Sequence, residues 1–277
     1  MQSHGFGFYV VVFFAVIVLR YFLVAGISHL LFYRSEPAGA TAIVAAEASL
    51  QLPPQLQPQA IGRRPSRHWI GHDIRLSVIS AAIFALATAA MMTAYNHGFT
   101  LLYDGLDGHG LLYAALSYGA ALILQDGYFY ATHRLFHHPA LFARLHQGHH
   151  RSPCPTPWTS FAFDPAEAAV QAVFLVAIVF VVPLHVVTLL AVLTTMSVWA
   201  VVNHLGLDRL PGSFPHHWLG RWVIGPQHHS LHHRKHRVHF GLYFTFWDNL
   251  CGTQDHFYSR ELSPRPEPSG PVSPGTS

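Results

Sequence analysis

Long apolar blocks alternate with short polar stretches along this chain, and the blocks are too long for the elements of a soluble domain. Apolar sequence runs from about Gly5 to Phe32, from Ile74 to Tyr95 and from Leu111 to Tyr130. Each is long enough to cross a bilayer as a helix of about 20 residues. A fourth block, Ala166 to Val202, is interrupted by Pro183, Leu184 and His185. Proline lacks the amide hydrogen and crowds the preceding helical turn, so this block predicts two shorter helices in a tight hairpin that spans or dips into the membrane. The opening block has no charged leader and no small-residue cleavage site, and reads as a retained helix rather than a signal peptide.

The predicted fold class is an all-α integral membrane protein with about four to five transmembrane or hairpin helices and a cytoplasmic helical cap. An N-terminal transmembrane helix (1–33) is followed by a flexible cytoplasmic linker (34–73), whose QLPPQLQPQ stretch is rich in Gln and Pro. A membrane-embedded unit (74–262) comes next. The closing segment (263–277), mostly Pro, Ser, Gly and Glu, is expected to be disordered. Composition agrees: 51% of residues are hydrophobic and 10% charged, against about a quarter charged in soluble domains.

Charge sets the expected orientation. Every Lys and Arg except Arg20 falls after the first block, after the third, or after the hairpin, whereas Asn96 to Gly110 has none and carries Asp104 and Asp107. The positive-inside rule therefore places the N-terminus outside and the polar segments after Tyr130 and Val202 in the cytoplasm. The net charge of +3 is topological first. Dispersed basic residues without a recognition motif give no support to nucleic-acid binding. Cys154 and Cys251 fall on the reducing side and in no CxxC pair, which argues against a disulfide or a thiolate metal site.

Candidate chemistry lies in three histidine clusters on that same side: His133 and His137; His146, His149 and His150; His229, His232 and His233. Residues three and four apart share a helical face, so each cluster aims several imidazoles in one direction. Neutral imidazole is a good ligand for iron, zinc, copper and nickel, and eight rings exceed the needs of one ordinary metal centre. Two metal ions at the membrane surface are implied. Pro139 is expected to stop or kink the helix carrying the first cluster, leaving room for a turn that brings the second cluster to it. Asp126, two helical turns before His133, is either a carboxylate accepting the second N–H of a ligand ring or an ordinary helix-end acid.

The three boxes in this order and spacing, together with the closing WDNLCGT segment, resemble the fatty acid hydroxylase/sterol desaturase superfamily over roughly Asp126 to Thr253. The RYFLVAGISHLLFY stretch is loosely similar to the opening of sterol C5-desaturases. The resemblance implies a membrane-bound histidine-box oxygenase domain in 74–262, with a non-haem di-iron centre that uses dioxygen to hydroxylate or desaturate a lipid (a sterol, fatty-acyl or sphingolipid-like substrate). Zinc is a candidate occupant of the same sites in isolated protein. The resemblance makes His133, His137, His146, His149, His150, His229, His232 and His233 catalytic metal ligands and adds His204, in NHLGLD, as a ninth. Asp208 stands where some relatives carry a further histidine, and His239 where many carry asparagine; Asp208 is a possible group supporting the ligands, and His239 either a tenth ligand or such a supporting group. Electrons are expected from a separate cytochrome b5- or ferredoxin-like donor, because neither CxxCH nor GxGxxG occurs.

Other classes stay open. A histidine-rich metal transporter or binding protein would place ligands inside spanning helices or in repetitive loops. A metalloprotease would need HExxH, and no glutamate lies beside a cluster in sequence. A non-catalytic lipid-binding scaffold is a third reading, which the complete ligand set argues against. The Ala, Pro and Arg bias points to a bacterial inner membrane. His138, His216, His217, His228 and His236 flank the boxes off the matching positions, and Arg20 sits deep in the first block, where a charge is costly.

Overall fold

The computed structural model describes residues 4–33, 67–105, 109–152, 155–206 and 217–255. Its long elements are helices α1 (Phe6–Tyr33), α2 (Arg67–Asn96), α3 (Leu111–Phe136), α6 (Pro165–Val181) and α7 (Val186–Asn203). Short helices α4 (Pro139–Leu145), α5 (Gln147–His150), α8 (Pro226–Lys235) and α9 (Phe246–Leu250) make a cap at one end, with a 3-10 turn at Pro157–Phe161. This is the all-α membrane class. Among the described residues, α1, α2 and α7 are long and apolar enough to cross a membrane. Helix α3, 26 residues long, is not among them, because its second half carries Gln125, Asp126, His133 and Arg134.

Most of the expected linker lies outside the described residues, but Arg67 to Asp73 belong to α2. That helix starts before its apolar run because its first turns reach the cap. There Asp73 accepts from Ser152 Oγ (2.8 Å) and Thr159 Oγ1 (2.7 Å). Helix α1 lies along α2, which in turn packs against α6, and Ile17, Ala81, Phe84, Ala85, Ala168 and Ala172 form one buried cluster across the three. Tyr21 Oη donates to the Trp158 carbonyl at 2.8 Å, joining the same helix to the cap. Alanines at these crossings let the backbones approach closely.

The apolar block with Pro183 forms the expected hairpin. Helix α6 ends at Val181, and α7 restarts at Val186 with His185 as N-cap, its Nδ1 accepting from Val187 N at 3.1 Å. The hairpin tip is pinned by a two-residue parallel pairing of β1 (Leu102–Tyr103) with β2 (Leu184–His185). Met91, Ala121, Ile178, Leu189 and Val192 pack beneath it. This end of the bundle is apolar and tied; the other carries the histidines.

Candidate metal centre

Helix α3 runs out of its apolar half with His133 buried in its last turn and His137 as its C-cap. Pro139 then opens α4 instead of ending α3 late: it sits at the first helical position, where a missing N–H costs nothing, and His138 caps that helix. Helix α4 spans only seven residues before His146, so the chain folds back and delivers α5 to the end of α3. Gly148 is needed at this joint. Its N–H donates to Asp164 Oδ2 at 2.7 Å, and a Cβ there would overlap that carboxylate. Helix α8 brings the third cluster, and the end of α7 brings His204.

The nine histidines fall into two groups. His133, His137, His146, His150 and His232 form one; His149, His204, His229 and His233 form the other; within each, one ring nitrogen per residue lies within 4.8 Å of all the rest. His146 and His150 are four apart, as are His229 and His233, and each pair stays together, while His149 and His232 join the opposite group because the helices meet from different sides. The groups abut, with His150 and His233 ring centroids 4.5 Å apart.

Tautomers follow from the outer hydrogen bonds, because a carbonyl oxygen only accepts. His133 Nδ1 donates to Phe240 O (2.9 Å), His204 Nδ1 to Ala200 O (2.6 Å), His232 Nδ1 to Val238 O (2.8 Å) and His149 Nδ1 to Ala162 O (3.3 Å). His146 Nδ1 lies 2.7 Å from Glu167 Oε2. In a neutral ring so arranged, Nε2 carries a bare lone pair. Yet His133 Nε2 and His146 Nε2 are 3.1 Å apart, His204 Nε2 and His229 Nε2 3.0 Å, and His150 Nε2 and His232 Nε2 3.2 Å. Across the His133–His146 contact both rings are tied at Nδ1, so two Nε2 lone pairs face each other and repel unless a cation lies between them. His150 and His229 have no such outer bond among the described residues, and in those contacts either nitrogen can carry the proton. Ligands at right angles on a metal with bonds of about 2.1 Å stand about 3.0 Å apart. The residues therefore fit one metal ion per group.

Burial, and then the neighbouring imidazoles, hold His146, His149, His150, His229, His232 and His233 well below the ordinary histidine pKa. The cap thus keeps its rings neutral, the form that binds metal. The unfolded chain takes up these protons near pH 6.5 and the fold does not. Stability from this source is complete above that pH and is lost as pH falls toward the depressed folded values. Metal-free protein is expected to melt at a clearly lower temperature at pH 5.5 than at pH 7.5. A melting temperature flat over that range contradicts the neutral cluster.

The residues that sequence offered as supports for the ligand rings do other work in space. Asp126 touches no imidazole; its Oδ1 accepts from Leu242 N (3.1 Å) and Tyr243 N (2.7 Å). Asp248, from the WDNLCGT segment, accepts from Phe240 N (2.8 Å) and Gly241 N (2.9 Å). The two carboxylates clamp the loop whose Phe240 carbonyl fixes His133, so Asp126 supports that ring through the backbone. Helical phase alone could not reveal this, because the partner lies far along the chain. Asp126→Ala is expected to cost about 2–3 kcal/mol, with Asp126→Asn milder, as read by thermal melting of metal-free protein. A wild-type melt for Asp126→Ala would refute the clamp.

His239 is fully buried but belongs to neither group. Its backbone takes φ 57° with its N–H on Thr253 O, and its ring stands edge-on to His228 at 4.9 Å. Asp208 lies outside the described residues. Sequence reading missed Glu167. In DPAEAA it looks like an ordinary acid in the first turn of a helix, a position favourable for any carboxylate; the available signal was its place at the cap-facing end of an apolar run.

Residues 118–253 match the fatty acid hydroxylase family model. The chain is 32% identical over 187 residues to a Delta(7)-sterol 5(6)-desaturase of Gibberella zeae, covering 68% of this chain and 56% of that protein. It is 29% identical over 192 residues to the lathosterol oxidase of Rattus norvegicus (69% and 62%) and 29% identical over 189 residues to that of Homo sapiens (68% and 62%). The chain thus spans less than two thirds of the length of these relatives. No solved structure matches it.

Proposed function

Because the chain belongs to the fatty acid hydroxylase/sterol desaturase superfamily, we propose that it is a membrane-bound, non-haem di-iron oxidoreductase that hydroxylates or desaturates a lipid. One iron would be held by His133, His137, His146, His150 and His232, and the other by His149, His204, His229 and His233. The observation that carries this reading is the convergence of ring nitrogens, paired at 3.0–3.2 Å, in two adjoining groups. Five of the nine rings are tied from behind and all but His137 and His150 are buried, which suits a permanent centre; transported cargo would need ligands that let go.

When bound, the irons supply the oxidant for an unactivated C–H bond, which no side chain provides. The chain's own part is to hold the rings neutral, keep their tautomers and exclude water. Hydroxylation consumes one dioxygen, two electrons and two protons, giving an alcohol and one water; desaturation consumes the same and gives an alkene and two waters. The electrons come from a separate donor, cytochrome b5- or ferredoxin-like. The lipid enters laterally from the bilayer, and sterols are the first class to try, since the relatives include a Delta(7)-sterol 5(6)-desaturase and lathosterol oxidases. The charge pattern supports a cytoplasmic position for the cap, and composition favours a bacterial inner membrane.

The test is to supply iron-loaded, purified protein with dioxygen, a reductant system and separate sterol, fatty-acyl and sphingolipid substrates. Mass spectrometry should find one added oxygen or two lost hydrogens in one class. Iron-loaded protein that changes none of them would overturn the proposal.

A further inference from the structure

The segment that carries the third histidine cluster enters and leaves through one apolar surface. Trp218, Leu219 and Trp222 precede α8. Phe246 and Leu250 follow the loop after it and, four apart on α9, share one face of that helix. Each of these five side chains is more than half exposed. The two ends of the segment are joined: Val223 and Phe244 form an antiparallel bridge, Ile224 N donates to Tyr243 O at 2.8 Å, and Thr245 N donates to Trp222 O at 3.1 Å. Single exposed apolar side chains are ordinary; five large ones on two joined stretches mark a surface made to be covered.

Two contacts fix the height of this surface in the bundle. The Trp199 indole N–H, on α7 four residues before the helix ends at Asn203, donates to the Ile224 carbonyl at 3.1 Å. On the other side the Trp247 ring lies against α3 at Gly127, where an added Cβ would come within 2.9 Å of it. Trp199 and Gly127 both lie inside apolar runs of the sequence, about one helical turn from where those runs end. Ile123 and Leu124, one turn deeper on α3, are themselves more than half exposed. In a bundle that crosses a bilayer, apolar side chains so exposed face lipid.

Chemistry says what covers the surface. Tryptophan collects at the boundary between water and acyl chains, because its ring is apolar and its N–H is not. The Arg221 guanidinium stands 5.2 Å from the centre of the Trp222 ring. That pairing holds a cation at the depth of lipid phosphates while the ring reaches below it. A soluble partner would have to displace lipid from the adjoining Ile123 and Leu124 to reach the same surface.

We propose that Trp218, Leu219, Trp222, Phe246 and Leu250 seat this side of the cap in the headgroup and outer acyl layer of the bilayer. Part of the cap then lies within the leaflet and not above it. The clamped loop whose Phe240 carbonyl fixes His133 runs between these anchors. The seating stands independently of the reaction proposed above.

The experiment uses the whole iron-loaded chain in vesicles of phosphatidylcholine that carries a diazirine on the acyl carbons next to the ester. Light turns the diazirine into a carbene that inserts into the side chains it touches, and mass spectrometry of the peptides locates the adducts. Peptides holding Trp222 and Leu250 should be labelled as heavily as the one holding Ile123 and Leu124. They should be labelled several-fold more than the one holding Arg237, which is exposed beyond the far end of α8. Labelling of Trp222 and Leu250 no higher than that of Arg237 overturns the seating and leaves the surface to water or a protein. Cross-links from this surface to a second copy of the chain, in place of lipid adducts, overturn it as well.

Discussion

His232→Ala lowers lipid turnover by more than about a hundredfold, while the protein still inserts in the membrane and keeps its helical content. The expectation follows from where the ring sits. His232 Nε2 faces His150 Nε2 at 3.2 Å, its Nδ1 is tied to the Val238 carbonyl, and its centroid is 4.4 Å from that of His133. Alanine removes one ligand from a group that draws on three separate chain segments; the neighbouring His236 ring, its centroid 4.5 Å from that of His150, is not among the rings whose nitrogens converge. His236, the next histidine on, caps α8 in the left-handed conformation. Folding is less affected, because α8 keeps its buried Leu231 and the carboxylate clamps on the following loop. Turnover and iron content are measured together. Full activity in this variant would remove His232 from the centre.

Glu167→Ala is the second large effect, and it separates positioning from folding. Glu167 is fully buried at the start of α6, and its Oε2 meets His146 Nδ1 at 2.7 Å. A carboxylate there fixes the tautomer that leaves Nε2 free for metal and raises the basicity of the ring. Loss of such a partner typically weakens metal binding by about 10–100-fold. Glu167→Gln keeps an oxygen that accepts from Nδ1–H and should recover most of the affinity. A role in packing alone would let both variants bind iron like the wild type, or fail equally with loss of the fold. Iron titration against a chelator of known affinity distinguishes these outcomes.

The spanning pattern and the metal chemistry were both legible in the chain, for different reasons. Apolar length finds α1, α2 and the hairpin broken at Pro183, because lipid-facing helices require long apolar runs. Histidine spacing finds eight of the nine rings that converge, and the family resemblance adds His204. What spacing cannot give is their division. His149 faces away from His146 and His150, and His232 away from His229 and His233, because the helices approach one another from different sides. Helix starts were also misplaced: α2 extends to Arg67, where polar residues serve the cap rather than a linker. Asp126 is not the ring partner that its helical phase allowed, and Glu167, which carried no expected role, is. The acid on the right helical face binds a loop, and the acid that reads as an ordinary helix start reaches a ring. Contacts across many residues decide such roles, and local periodicity carries no record of them.

The central claim is that two metal ions occupy two adjoining histidine groups, and iron stoichiometry tests it most directly. Protein purified in detergent, stripped of metal and reconstituted anaerobically with ferrous iron should retain about two irons per chain after desalting. A His229→Ala variant, which strikes the group formed with His149, His204 and His233, should retain about one. Zero or one iron in the wild type, unchanged in the variant, would contradict the account.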